Sequence, residues 1–231
     1  MLDRKTVEKL IRESVERSKR GRREFHLFHR TMVSVKQDVL PNIDFHEIIG
    51  FIERIMPPHL FEEVDDIFVG SFDENDDRAL EAHYEDGAIY ITSDLPANTD
   101  YVENIVHETA HSLESARGLE IYGDRRAEEE FLGKRRRLAA TMQNNGIKIS
   151  HLDFESPEYV PEFDSFLYKE IGYGNLSSMT MGLFVSPYGA TSLQEYFANG
   201  FEEFFLGDRG YLKRVSPQLF IKIMEIINNE I

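Results

Sequence analysis

Residues 101–118 read YVENIVHETAHSLESARG, in which apolar residues recur with the period of an α-helix that ends at Gly118. The pattern H-E-x-x-H places His107 and His111 four residues apart, and therefore on one face of that helix. Two imidazoles on one helix face can bind one zinc ion. Glu108, next to the first histidine, can then accept a proton from a water molecule that the zinc ion polarises. The stretch predicts a helix with two metal ligands and a general base.

A zinc site with two histidines needs a third protein ligand and an open position. The longer pattern H-E-x-x-H-x-x-G-x-x-H does not apply, because Glu114 and Arg117 stand where Gly and the third His would be. The chain has no cysteine, so the third ligand is an imidazole or a carboxylate. Glu195 is the main candidate, because an unpaired carboxylate on its otherwise apolar helix face would be costly to bury. His151 is a weaker candidate.

Simpler interpretations of both motifs stay open at this point. His107 and His111 could be ordinary surface residues of an amphipathic helix. Glu195 could be a first-turn acid that interacts only with the positive end of its helix. The residue pattern therefore predicts a metal site without excluding a structural role for these side chains.

The segment around Glu195 reads YGATSLQEYFANGF from Tyr188 to Phe201. Together with H-E-x-x-H, it resembles the catalytic domains of anthrax lethal factor and of the Pro-Pro endopeptidases, which are zinc peptidases. The resemblance implies that Glu195 is the third zinc ligand and that the Tyr188 hydroxyl stabilises the oxyanion. Those relatives carry an acid where this chain has Asn199, so a hydrogen bond that could orient a ligand histidine is expected to be weaker. Two other tyrosines are weaker candidates for the oxyanion role: Tyr122 and Tyr173.

The predicted fold class is α+β with a zincin-like metallopeptidase core, in which a small mixed sheet lies on the H-E-x-x-H helix and further helices follow. Residues 66–70 read as a strand, and residues 80–84 and 88–92 read as a hairpin. The second hairpin strand is the candidate edge strand for an extended substrate, with an ordinary core strand as the alternative. Later segments are predicted as helices at 125–141, 192–206 and 216–231, and as a loop-rich stretch at 144–188.

Residues 6–39 carry apolar side chains at helical spacing among charges, and Ile43–Met56 reads as a second helix that ends at Pro57-Pro58. Residues 1–60 are therefore predicted to be an N-terminal helical region that either docks on a catalytic domain formed by residues 61–231 or forms a small arm. Relative to the peptidases that the motifs resemble, this domain contains an insertion at about residues 120–180. The insertion could be a lid, a wall of the substrate cleft or a partner surface.

Composition narrows the class of protein further. A hydrophobic fraction of 41% is that of a packed globular chain, and a net charge of −16 argues against nucleic-acid binding. The sequence has no signal-peptide pattern and no apolar run of about 18 residues, so no membrane association is expected. With no cysteine, these features predict a cytoplasmic protein, and they leave open export by another route or association with a virion.

Taken together, the sequence predicts a zinc-dependent endopeptidase of the two-histidine, one-glutamate type, with one Zn2+ per chain. In this hypothesis His107, His111 and Glu195 bind the metal, and Glu108 and Tyr188 are catalytic. The expected partner is a protein or peptide substrate, and the oligomeric state is not predicted. The alternative is a non-catalytic structural or interaction module that keeps a metallopeptidase fold, for example within a larger assembly or a virion.

Overall fold

The computed structural model describes residues 23–71 and 81–228, and within them it has an α+β fold with one five-stranded mixed sheet and eight α-helices. The strands are β1 (Arg23–Leu27), β2 (Thr31–Val35), β3 (Asp66–Val69), β4 (Ala82–Glu85) and β5 (Ala88–Ile91). The α-helices are α1 (Phe45–Ile55), α2 (Asn98–Tyr122), α3 (Arg126–Asn144), α4 (Pro161–Ser165), α5 (Tyr173–Thr180), α6 (Leu193–Leu206), α7 (Arg209–Val215) and α8 (Pro217–Ile227). The predicted α+β class is confirmed.

The chain divides into two compact units, residues 1–109 and residues 110–231. The first unit contains the sheet, α1 and the first half of α2, and the second contains the rest of α2 and the remaining helices. No α-helix in residues 23–71 and 81–228 combines the length and the apolar character that a membrane span requires.

The sheet has the strand order β1-β2-β3-β5-β4, with parallel pairing of β2 with β3 and of β3 with β5 and antiparallel pairing at both ends. Val33, Ile67 and Ile89 are aligned across the three central strands and are almost fully buried. On the neighbouring strand Phe25 is aligned with Val33 and stacks on Phe45 of α1, with ring centroids 5.7 Å apart. Alternation along the strands therefore buries one face of the sheet against α1.

The helix predicted for residues 6–39 is wrong in its second half. Residues 23–35 form the hairpin β1–β2 instead, and residues 1–22 lie outside the described part of the chain. The turn of this hairpin uses Phe28 and His29 at φ 54° and 57°, a conformation for which Gly or Asn is the usual signal. Because β2 pairs with β3, this segment belongs to the same sheet as residues after position 60.

Other predicted elements of the first unit are confirmed. Helix α1 starts where Asp44 caps it, because the carboxylate of that residue accepts from the backbone N–H groups of His46 and Glu47. The hairpin β4–β5 turns at Asp86 and Gly87, with φ of 45° and 85°. Strand β5, however, pairs with β3 and β4, so it is not the edge strand that the sequence suggested.

Helix α2 extends beyond its predicted end at residue 117, because the chain kinks at Arg117 (φ −125°, ψ 20°) and then continues as a helix to Tyr122. The predicted helices at 125–141 and 192–206 correspond to α3 and α6. The loop predicted for 144–188 is wrong in part, since it contains α4, a π-helical turn at Phe166–Ile171 and α5. The last predicted helix corresponds to α8, which the short helix α7 precedes.

A partly buried hydrogen-bond network connects α3, α6 and α8 within the second unit. The Glu130 carboxylate accepts from the Tyr196 hydroxyl at 2.8 Å and from the backbone N–H groups of Gln218 and Leu219 at 3.0 and 3.2 Å. It therefore caps the N-terminus of α8 from another helix. Tyr196 lies one residue after Glu195, so this network also fixes the start of α6.

Candidate metal centre

Three side chains of the chain converge in the arrangement of a metal site: His107, His111 and Glu195. Each offers one ligand atom, and these three atoms lie within 4.8 Å of one another. All three side chains are half-buried. In the described residues this is the one group of three or more histidine or acidic side chains with such spacing. His151, the weaker sequence candidate, does not belong to the group; it is exposed and lies edge-on to Phe166.

The two histidines are held by a helix whose other face is buried. Ile105, Val106 and Ala110 of α2 are 0–1% exposed, so the helix cannot rotate about its axis without exposing them. The Thr109 hydroxyl donates to the Ile105 carbonyl at 2.6 Å, so its hydrogen bond is made within α2. The position of the imidazoles thus follows from the four-residue spacing and from the burial of the opposite face.

His111 is oriented by a buried acid on its own helix. Its Nδ1 lies 3.0 Å from Oε2 of Glu114, one turn farther along α2. When Glu114 is ionised, its oxygens only accept hydrogen bonds, and Nδ1–H of His111 is then the donor. A neutral His111 therefore presents the lone pair of Nε2, which lies 3.7 Å from Oε1 of Glu195.

Glu114 receives a second hydrogen bond, from the hydroxyl of Tyr122 to its other oxygen, Oε1. Burial raises the pKa of Glu114, and the hydrogen bonds from His111 and Tyr122 oppose that rise. Burial, together with the charge of Glu114, raises the pKa of Tyr122 well above its ordinary value, so its hydroxyl keeps its proton. Glu114 was not among the site residues predicted from the sequence; the available signal was an acid three residues after His111, on the same helix face.

Glu195 is positioned by the first turn of α6. The Ser192 hydroxyl accepts from the backbone N–H of Glu195 at 3.1 Å and caps the helix. The Glu195 side chain is 14% exposed and points to His111. Glu195 is also the acidic residue in the first turn of α6, so its carboxylate lies near the positive end of the helix as well as near His111.

Glu108 and Tyr188 are the two predicted catalytic residues. Glu108 follows His107 on α2 and is 6% exposed. Tyr188 is the first residue of a short 3₁₀ helix, Tyr188–Ala190, that precedes α6. Its side chain is half-buried. The turn is close to α6, because a Cβ on Gly189 would lie 3.6–3.7 Å from atoms of Asn199, Glu195 and Tyr196.

The other two tyrosines considered for the oxyanion role lie elsewhere. Tyr122 donates to Glu114, and Tyr173 is 42% exposed on α5, beside Tyr168. Asn199, which stands where the peptidases that the motifs resemble carry an acid, donates to the Glu195 carbonyl at 2.8 Å and accepts from the Ser186 hydroxyl. Its amide therefore fastens the segment before the 3₁₀ turn onto α6.

The donor set fits a zinc ion. Two ligand atoms at about 2.0–2.2 Å from one zinc ion can be at most roughly 4.4 Å apart. The 3.7 Å between Nε2 of His111 and Oε1 of Glu195 satisfies that limit, and the full set needs a contraction of less than 1 Å. That separation is also too long for a hydrogen bond, and a cation between the two lone pairs would stabilise it.

In comparisons with protein-family models, curated protein sequences and solved structures, nothing matches this chain. The resemblance to lethal factor-like peptidases accordingly stays a prediction that rests on the two motifs.

Proposed function

We propose that this protein is a zinc-dependent endopeptidase with a zincin-like core, in which His107, His111 and Glu195 bind one Zn2+. The observation that carries the proposal is the convergence of these three ligand atoms within 4.8 Å, from a helix and a distant part of the chain. Two histidines and one glutamate are the donor set of catalytic rather than structural zinc sites. Two neutral imidazoles and one carboxylate would leave a net positive charge on a bound zinc ion.

When it is bound, zinc supplies Lewis-acid polarisation of a water molecule and of the scissile carbonyl. Glu108 accepts the proton of the attacking water and passes it to the amine nitrogen as the C–N bond breaks, so the products are a carboxylate and an amine. The Tyr188 hydroxyl donates a hydrogen bond to the carbonyl oxygen as negative charge develops on it. The substrate is a protein or peptide.

The first test is the zinc content of the purified chain by elemental mass spectrometry. We expect about one zinc per wild-type chain and a clear loss in Glu195→Ala, since two imidazoles alone bind zinc weakly. Gln194→Ala, an exposed neighbour on the same helix, is the matched control and should retain zinc. Equal zinc in wild type and Glu195→Ala would show that the third ligand is another residue. No zinc in wild type would contradict the peptidase and favour the non-catalytic module.

The second test is hydrolysis of a peptide library derived from a whole proteome, read by mass spectrometry so that narrow specificity is still detected. Glu108→Gln keeps the shape of the side chain but removes its basicity. We expect this variant to bind zinc like wild type and to lose roughly 10²–10⁴-fold in turnover. Full activity of Glu108→Gln would exclude Glu108 as the general base. A zinc-loaded wild type that cleaves no library peptide would argue against peptidase function.

A further inference from the structure

Glu114 is a buried carboxylate that forms no salt bridge with lysine or arginine in the described residues. Its side chain is 5% exposed, whereas that of its partner His111 is 22% exposed. Its hydrogen-bond partners are an imidazole and a phenol, neither of which carries a permanent positive charge. A buried carboxylate is costly unless it is compensated, and breaking such compensation is strongly unfavourable. A cation bound at Nε2, on the side of the imidazole ring away from Glu114, would compensate the charge of Glu114.

Both oxygens of Glu114 accept hydrogen bonds, one from each partner. Oε2 accepts from Nδ1 of His111, and Oε1 accepts from the Tyr122 hydroxyl. The carboxylate is thus held at two points, and its hydrogen bond to the imidazole fixes the ring orientation and leaves the lone pair on Nε2, the nitrogen that faces Glu195.

The kink in α2 brings Tyr122 to Glu114. On an uninterrupted helix, residues eight apart are separated by about 12 Å along the axis. The kink at Arg117 lies between them and changes the direction of the last turn. The Tyr122 ring also packs edge-to-face on Phe197 of α6, with centroids 6.2 Å apart. Phe197 lies two residues after Glu195, so Tyr122 contacts both ligand-bearing helices of the second unit.

We propose that Glu114 and Tyr122 are positioning residues for the metal ligand His111: Glu114 orients the imidazole and raises its basicity through Nδ1, and Tyr122 holds Glu114 in place. The proposal rests on the zinc site proposed above. Neither residue belongs to the group of three proposed ligands. A carboxylate behind a ligand histidine commonly contributes 10- to 100-fold to metal affinity.

The test is the zinc dissociation constant of the full-length chain, measured by competition with a chromophoric chelator. We expect Glu114→Gln, which keeps the shape and an acceptor oxygen, to weaken zinc binding about tenfold. Glu114→Ala should approach the upper end of that range, about 100-fold, and Tyr122→Phe should weaken binding several-fold. Glu129→Gln removes the same charge from an exposed position on α3 and should bind zinc like wild type.

The double variant Glu114→Gln/Tyr122→Phe separates positioning from simple loss of structure. If Tyr122 acts through Glu114, the two effects on zinc affinity do not add, and the double variant binds zinc about as well as Glu114→Gln alone. Additive losses of zinc affinity would contradict the proposal that Tyr122 acts through Glu114. Nitrogen NMR of the apo chain adds a structural readout: His111 should carry its proton on Nδ1 in wild type, and this preference should fall in Glu114→Ala.

The outcomes distinguish this proposal from the one it rests on. If wild type binds no zinc, the metal site itself fails. If wild type binds zinc through Glu195 but Glu114→Gln, folded as judged by circular dichroism in excess chelator, has unchanged affinity, then only the positioning role fails.

Discussion

Lys134 is a buried lysine whose surroundings lower its pKa. It is 6% exposed on α3, donates to the Ser216 hydroxyl at 2.6 Å and lies over the Tyr196 ring at 4.7 Å. Burial lowers its pKa to about 8, and the nearby Glu130 opposes this shift. A lysine in such a place is more easily deprotonated than in the unfolded chain.

This shift predicts a pH dependence of stability that belongs to Lys134. Between pH 8 and about 10.5 the unfolded chain keeps the proton that the folded chain releases, so the free energy of unfolding contributed by this residue rises with pH. The measurement is urea unfolding of wild type and Lys134→Met from pH 7 to 10.5. Wild type should gain up to about 3 kcal/mol relative to the variant across that range. A constant difference between the two proteins would contradict the prediction.

The three proposed metal ligands differ from Lys134 in what fixes their positions. His107 and His111 share one helix face because of their four-residue spacing. The orientation of His111 depends also on Glu114, and its distance from Glu195 depends on a helix from another part of the chain. At the residue scale the sequence predicts which side chains could bind a metal, and the tertiary contacts set their orientation and separation.

At the scale of elements, α6 and α8 pack so closely that one helix lacks a side chain at the contact. A Cβ at Gly200 of α6 would lie 2.3 Å from Cδ2 and 3.1 Å from Cγ of Leu219, and Leu219 is fully buried. The helix tolerates a glycine here, although glycine in a helix costs about 1 kcal/mol relative to alanine. Close packing of α8 outweighs that cost.

Two glycine-to-alanine substitutions test this interpretation. Gly200→Ala should lower the free energy of unfolding by about 1–3 kcal/mol, because the overpacking exceeds the gain in helix propensity. Gly50→Ala is the matched control, since Gly50 is exposed inside α1 and an added Cβ would meet nothing within 4 Å. It should raise the free energy of unfolding by about 0.5–1 kcal/mol. Chemical denaturation gives both values; stabilisation by Gly200→Ala would mean that Leu219 moves without cost.

At the scale of the whole molecule, the proposed zinc ion would join segments that are far apart in the sequence. A net charge of −16 also favours cation binding in general, so specificity has to come from the three ligands. If zinc binds the folded chain and not the unfolded one, linkage makes the free energy of unfolding depend on zinc concentration.

Thermal unfolding with and without zinc checks this consequence. At a free zinc concentration of 100 times the dissociation constant, binding adds about 2.7 kcal/mol to the free energy of unfolding. For a chain of this size that corresponds to a rise in Tm of roughly 5–10 °C relative to excess chelator. Glu195→Ala should show little of this rise. An equal shift in both proteins would indicate zinc binding at other sites.

The sequence by itself determined those features that depend on neighbouring residues. The H-E-x-x-H spacing places two imidazoles on one helix face, Pro57-Pro58 marks the end of α1, and the Asp86-Gly87 turn indicates the hairpin β4–β5. Each of these signals acts within a few residues along the chain, which is why periodicity and turn chemistry are sufficient to read them.

Only the tertiary structure decided the features that depend on distant partners. The hairpin β1–β2 is a strand pair because β3 completes the sheet beside it, although its local pattern suggested a helix. Likewise, the interior position of β5 and the use of Glu114 to orient His111 follow from a neighbouring strand and a kinked helix. The intrinsic propensities of ordinary residues for helix or for strand span only about 1 kcal/mol per residue. Burial against distant elements therefore decides which of the two a short segment forms.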